Sequence, residues 1–307
     1  MDEERELSAR STSPYAALLG VQVLFGSLPV IAKIVLAVMP SIGLVGFRVG
    51  ITAVALFIFQ RGRGSLKLKH TGDYRRLATL SLFGVVFNQL LFVGGLSYTR
   101  AANTSLLAVT IPIFTMLVGA VIGTERLQLL KVVGVILAAA GVLFLIDPRN
   151  ASFESDTTIG DLMIVVNSLS YGIYVATSKD LITRNGAIRS MAWIFIFASV
   201  ICVPLGLAAL NKIDVWTIDA KIWALVFYIS IVATAGPYLL NAWALARVSP
   251  TTVAIFVYLQ PLIGFCLAVL FLGEILTENF AFAAILIFAG VFLTVRRNDR
   301  VPQITDT

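Results

Sequence analysis

Residues able to carry chemistry on their own are sparse in this chain of 307 residues. The only histidine, His70, stands in a basic stretch without a companion, so it offers neither a metal pair nor a base beside a nucleophile. Cys202 and Cys266 both lie inside apolar runs, far from any metal-like spacing, and read as small core residues rather than a disulfide or zinc framework. No GxxxxGK(S/T) segment is present, which excludes ATP hydrolysis by a P-loop on this chain. Glu125, Asp161, Asp180 and Glu274 all fall near the ends of apolar runs. A buried carboxylate relay for protons is therefore not supported, and facilitated diffusion stays open as an energy source. These residues predict a protein that is not an enzyme and uses neither metal nor cofactor.

What the apolar runs do contain is a scatter of amides, hydroxyls and aromatic rings, which are disfavoured against lipid and so carry information. The first run holds Gln22, Phe25, Gly26 and Lys33 at helical spacing, and a later one holds Asn167, Ser168, Tyr171, Gly172, Tyr174 and Lys179. Asn88, Gln89 and Phe92 sit in a third, Tyr238 and Asn241 with Trp243 in a fourth, and Thr252, Tyr258 and Gln260 in a fifth. Taken singly, each reads first as an interhelical hydrogen bond. Together, Gln22, Asn88, Gln89, Phe92, Asn167, Tyr171, Tyr174, Tyr238, Asn241, Trp243 and Gln260 predict a substrate-binding cavity. Arg48 is the only cation well inside a run, while Lys33 and Lys179 lie near helix ends, where long side chains snorkel to the interface. A phosphorylated cargo calls for a denser basic cluster. The expected substrate is small, neutral or zwitterionic, and partly apolar.

The elements that hold these residues must cross a membrane. Hydrophobic residues make up 58% of the chain and charged ones 13%, where a soluble domain carries roughly 25% charged. Mean hydropathy is +0.92. The net charge of +6 does not point to nucleic acid, because the basic residues sit in short gaps between apolar runs. Ten runs approach the ~20 helical residues that cross ~30 Å of hydrocarbon: 15–38, 42–59, 74–96, 102–122 and 127–146, then 160–182, 188–209, 221–242, 251–272 and 280–295. The acidic opening MDEERELSARSTS lacks the basic flank of a signal peptide, so the first helix is expected to stay as an anchor. Sixteen Lys and Arg lie on the side of the N-terminus, against four on the other. That bias predicts a multi-pass protein of the cell (inner) membrane with both termini cytoplasmic.

The sequence also repeats. Shifted by 149 residues without a gap, TSLLAVTIPIFTMLVGAVIGTERL overlies VAIFVYLQPLIGFCLAVLFLGEIL, pairing Pro112 with Pro261 and Glu125 with Glu274; Gly141 then meets Gly290. A shift of 146 pairs Gly26 with Gly172 and Lys33 with Lys179. The unit is five helices long. Because five is odd, the second copy enters the membrane from the opposite side, which generates a pseudo-two-fold axis in the membrane plane. The predicted organisation is a cytoplasmic tail at 1–14, a first repeat at 15–146, an external linker at 147–158, a second repeat at 159–296 and a cytoplasmic tail at 297–307. Pro112 and Pro261 are expected as kinks or hinges, and Glu125 and Glu274 as caps at helix junctions.

A mid-helix proline, a Gly/Thr-Glu at the helix end and a following helix closing on Ala-Gly-Val resemble the EamA-type module of the drug/metabolite transporter superfamily. The module occurs twice, as IPIFTMLVGAVIGTERL with AAAGV and as LQPLIGFCLAVLFLGEIL with FAGV, with Thr124 standing where the second copy has Gly273. The resemblance implies an all-α membrane fold of ten helices in two inverted repeats. It also implies a secondary transporter that exports small metabolites, amino acids or their relatives first, with a drug or lipid exporter of the same fold as the alternative. Expected partners are a small-molecule substrate and membrane lipid, without nucleic acid; self-association is left open.

Overall fold

The structure, a computed structural model, describes residues 2–99, 104, 107–146, 155–211, 215–263 and 278–295. Among these residues ten apolar helices follow one another: α1 (Asp2–Leu36), α2 (Ser41–Arg63), α3 (Thr71–Tyr98), α4 (Thr110–Ile122), α5 (Leu129–Ile146), α6 (Ser155–Asn185), α7 (Ala187–Leu210), α8 (Ala220–Leu245), α9 (Pro250–Ile263) and α10 (Glu278–Val295). Six are long and apolar enough to cross a membrane and the other four are shorter. Their outer faces carry large apolar side chains such as Ile58, Val121, Ile136 and Phe292, as a lipid solvent requires. The first helix reaches back to Asp2, well beyond the apolar run, because the Glu, Leu, Ala and Arg of the opening segment are good helix formers. Glu274, Cys266, residues 147–154 of the expected linker and the expected tail at 297–307 lie outside the described residues.

The helices pair mainly across the two halves, and small residues set the spacing. α2 runs antiparallel to α7, with Gly43 against Leu210, Gly46 against Gly206 and Gly50 against Val203. A Cβ on Gly46 would lie 2.8 Å from the Gly206 Cα, so the two backbones touch. α5 and α10 cross in the same way: a Cβ on Gly134 would stand 2.7 Å from the Gly290 carbonyl oxygen, and one on Gly141 3.0 Å from that of Ala283. The 149-residue shift carries Gly134 onto Ala283 and Gly141 onto Gly290, so these two contacts exchange into each other. That is the signature of a two-fold axis. Small residues let helix backbones approach where no hydrophobic drive between helices exists.

Two further features obey the same symmetry. α3 contains a π-helical turn at Leu82–Phe87 and α8 one at Ile231–Ala235, and their first residues are again 149 apart. A π turn inserts a residue and loosens the backbone ladder, and the facing helices use the carbonyls this exposes. Phe83 O accepts from Ser170 at 2.8 Å, Gly84 O from Tyr238 at 2.9 Å, and Ser230 O, just before the second turn, from Thr52 at 2.7 Å. Pro112 does not interrupt its helix at mid-length. Pro112 sits in the first turn of α4, where a missing N–H costs little, and Ala108 O, which it cannot satisfy, accepts from Ile111 N at 3.1 Å. Before Pro261 the chain tightens into a 3-10 turn at Phe256–Tyr258. Each helix therefore breaks one turn ahead of its proline.

Candidate functional site

The axis runs through a polar cavity of about 100 Å³ to which both halves contribute. Gln22 and Phe25 reach it from α1, Asn88, Gln89 and Phe92 from α3, Asn167 and Tyr171 from α6, Tyr238 and Asn241 from α8, and Gln260 from α9, with Leu28, Ile111, Ile164 and Val253 among the apolar walls. Hydrogen bonds lace these groups together. Asn88 Nδ2 donates to Asn167 Oδ1 at 2.8 Å, Gln260 Nε2 to Gln22 Oε1 at 2.8 Å, Asn241 Nδ2 to the Tyr171 hydroxyl at 2.7 Å, and Gln89 Nε2 to the Tyr238 hydroxyl at 2.9 Å. Gln89 and Tyr238 are repeat-equivalent, as are Val109 and Tyr258, whose hydroxyl donates to Val109 O at 2.8 Å. Positions on the axis thus meet their own counterparts. Phe25 and Phe195 stand edge-on to the Tyr238 ring and fix it.

Of the residues expected to form the site, Tyr174 and Trp243 are not in this lining. Tyr174 packs on Gly84, with its hydroxyl 3.5 Å from Met191 Sδ. Trp243 lies beneath the Arg247 guanidinium, 3.9 Å from the ring centre. The lining includes a charge that reasoning from the sequence left out. Arg48 of α2 is 1% exposed and lines the cavity. Its Nε donates to Thr234 Oγ1 at 2.5 Å and its Nη2 reaches Ala233 O at 3.5 Å, both in the π turn of α8. Its place as the only cation deep in a span was the available signal.

A second cluster lies at the end of the bundle that carries the loop between α2 and α3. The Glu125 carboxylate pairs with Lys131 and accepts from Thr251 N at 3.1 Å and Thr251 Oγ1 at 2.6 Å. Lys131 also donates to Ser249 Oγ at 3.1 Å, and Lys179 Nζ to Val248 O at 2.9 Å. The Glu125 carboxylate meets the first turn of α9 of the other half and not the α5 that follows it. Burial alone would push its carboxyl upward; the Lys131 charge and the hydrogen bonds from Lys131 and Thr251 outweigh that and hold it below the usual carboxylate range. This junction fastens the α4/α5 corner of the first half to the start of α9.

Two interlocked sets of five helices around a shared polar cavity are the architecture of inverted-repeat membrane transporters. The chain belongs to the EamA-like transporter family, which it matches over residues 12–147 and again over 158–296. It is 28% identical to an "Uncharacterized transporter" of Archaeoglobus fulgidus over 226 residues, 73% of this chain and 77% of that one. It is 24% identical to "Uncharacterized transporter YoaV" of Bacillus subtilis, covering 90% of this chain and 94% of that one. With a "Probable amino-acid metabolite efflux pump" of Salmonella typhimurium it shares 28% identity over 300 residues, 94% of this chain and 97% of the other. A crystal structure at 18% identity superposes with a TM-score of 0.76 over 94% of this chain and 99% of that one, which fixes the fold.

Proposed function

We propose that the protein exports small amphipathic metabolites, amino acids or their relatives foremost, from the cytoplasm by alternating access of its two halves around the central cavity. The cavity itself carries the reading: it lies on the axis between the repeats, where such folds bind substrate, and amides, phenols and one guanidinium line it. The Salmonella relative's name supports the substrate class. The excess of Lys and Arg on the side of the termini supports a cytoplasmic placement of both. A single cysteine at Ser65, in a background lacking Cys202 and Cys266, should stay unlabelled by an impermeant reagent in intact cells. Labelling from outside overturns the orientation.

The alternative, a drug or lipid exporter, draws on an apolar groove of about 480 Å³ between α2, α7 and α8, lined by Phe47, Ile51, Val54, Val203 and Leu207. Reconstitution in liposomes with labelled amino acids, sugars, phosphorylated metabolites, lipids and cationic dyes separates the two. Amino-acid flux is the expected result; flux of dyes or lipids alone, with every amino acid inert, establishes the alternative.

A further inference from the structure

Two side chains that line the cavity each bury a polar atom without a hydrogen-bond partner: Arg48 Nη1, a donor, and Gln89 Oε1, an acceptor. The orientation of the Gln89 amide follows from its neighbours. The single proton of Tyr238 is claimed by Gly84 O at 2.9 Å or Asn88 Oδ1 at 3.0 Å, so the Gln89 atom that meets the Tyr238 hydroxyl must be a donor. Its carbonyl oxygen is the free end. A guanidinium keeps its proton at neutral pH even when buried. Among the described residues no carboxylate pairs with Arg48 and none lines the cavity. A buried charge left this way is costly unless something of opposite sign meets it.

Resting on the export reading above, we infer that Arg48 and Gln89 form a two-point dock for an α-amino carboxylate, with the carboxylate on Arg48 Nη1 and the ammonium on Gln89 Oε1. One guanidinium matches one carboxylate and leaves the doubly charged phosphate of a phosphorylated metabolite half-neutralised. The free acceptor gives the ammonium a place that a simple carboxylic acid leaves unfilled. Phe25, Phe92 and Tyr171 and the aliphatic walls then receive the side chain.

Analogues that each lack one of the two groups test the dock. L-alanine, L-valine and L-phenylalanine, their amides, and propionate, 3-methylbutanoate and 3-phenylpropanoate are compared for binding to the purified full-length protein. In the wild type, removing either group should weaken binding by roughly ten-fold or more, the scale of one lost hydrogen bond to a charged group. Arg48→Gln should bind amino acid and amide alike, Arg48→Lys should keep part of the preference, and Gln89→Leu should bind amino acid and deaminated acid alike. Equal binding of amino acids and their amides by the wild type overturns the dock whether or not any variant folds, and leaves amino-acid export standing if flux persists. Failure of all three amino acids to bind, with dyes or lipids alone transported, overturns both readings.

Discussion

Two of the buried charge centres in the bundle are of opposite design. At the junction, Glu125 and Lys131 neutralise each other, with side-chain exposures of 10% and 6%, and Thr251 and Ser249 occupy further hydrogen-bonding positions. In the cavity, Arg48 has hydroxyl and carbonyl partners but no counter-charge among the described residues. Breaking a buried pair strands a charge, whereas removing an unmatched charge relieves a desolvation cost. The junction thus ties the halves together with a matched pair, and the cavity keeps a buried charge without a counter-charge.

The sharpest break of this contrast is at the junction. Glu125→Gln or Lys131→Met alone should lower unfolding stability by ~3 to 5 kcal/mol, and the double variant should recover much of that loss; additive losses in denaturant titration would mean that the two groups act independently. In the cavity the effect should move from stability to ligand. Replacing Gln89, Tyr171, Tyr238 or Asn241 by Ala should weaken substrate binding by ~1 to 3 kcal/mol, while Val121→Ala, at a position 87% exposed, should leave it unchanged in the same binding assay. Arg48→Met should change stability by less than about 1 kcal/mol in either direction, and a loss on the scale of the junction would show that Arg48 is structural. The smallest effect concerns pH. Because the folded Glu125 carboxyl lies below its ordinary value near ~4.3, its contribution is complete above that value and is lost as pH falls through the lower folded one. Wild-type melting should drop across that acid window, and the difference from Glu125→Gln should shrink there.

Much of this was legible in the chain. Spans are written in long apolar runs, and an inverted repeat in a constant offset between two of them, because lipid imposes one composition on every outward face. Most of the cavity lining was legible too, since an amide inside a span must face protein. Tyr174 and Trp243 show the limit: a phenol hydroxyl can be met by a thioether such as Met191 Sδ, and an indole face by a cation such as the Arg247 guanidinium, without either ring joining the cavity. The π turns leave no mark that periodicity detects, because one extra residue in a uniformly apolar run shifts nothing visible. The turn of α8 is what faces Arg48, so its role stayed hidden although the residue itself stood out. Glu125 was expected as a cap, but which helix it meets depends on a contact between the halves.

The meeting of repeat-equivalent positions on the axis carries a further consequence. In a symmetric dimer of two identical five-helix units, a residue on the axis faces its own copy. Two glutamines or two tyrosines would confront each other where Gln89 now donates to Tyr238. Any arginine at position 48 would be matched by a second one, placing two like charges against the same small cavity. Joined in one chain, the halves are free to differ, and the position equivalent to Arg48 under the 146-residue offset is the fully buried Ile194. Fusion thus preserves a two-fold scaffold while giving the cavity a head and a tail, so that an asymmetric molecule can lie in it one way round.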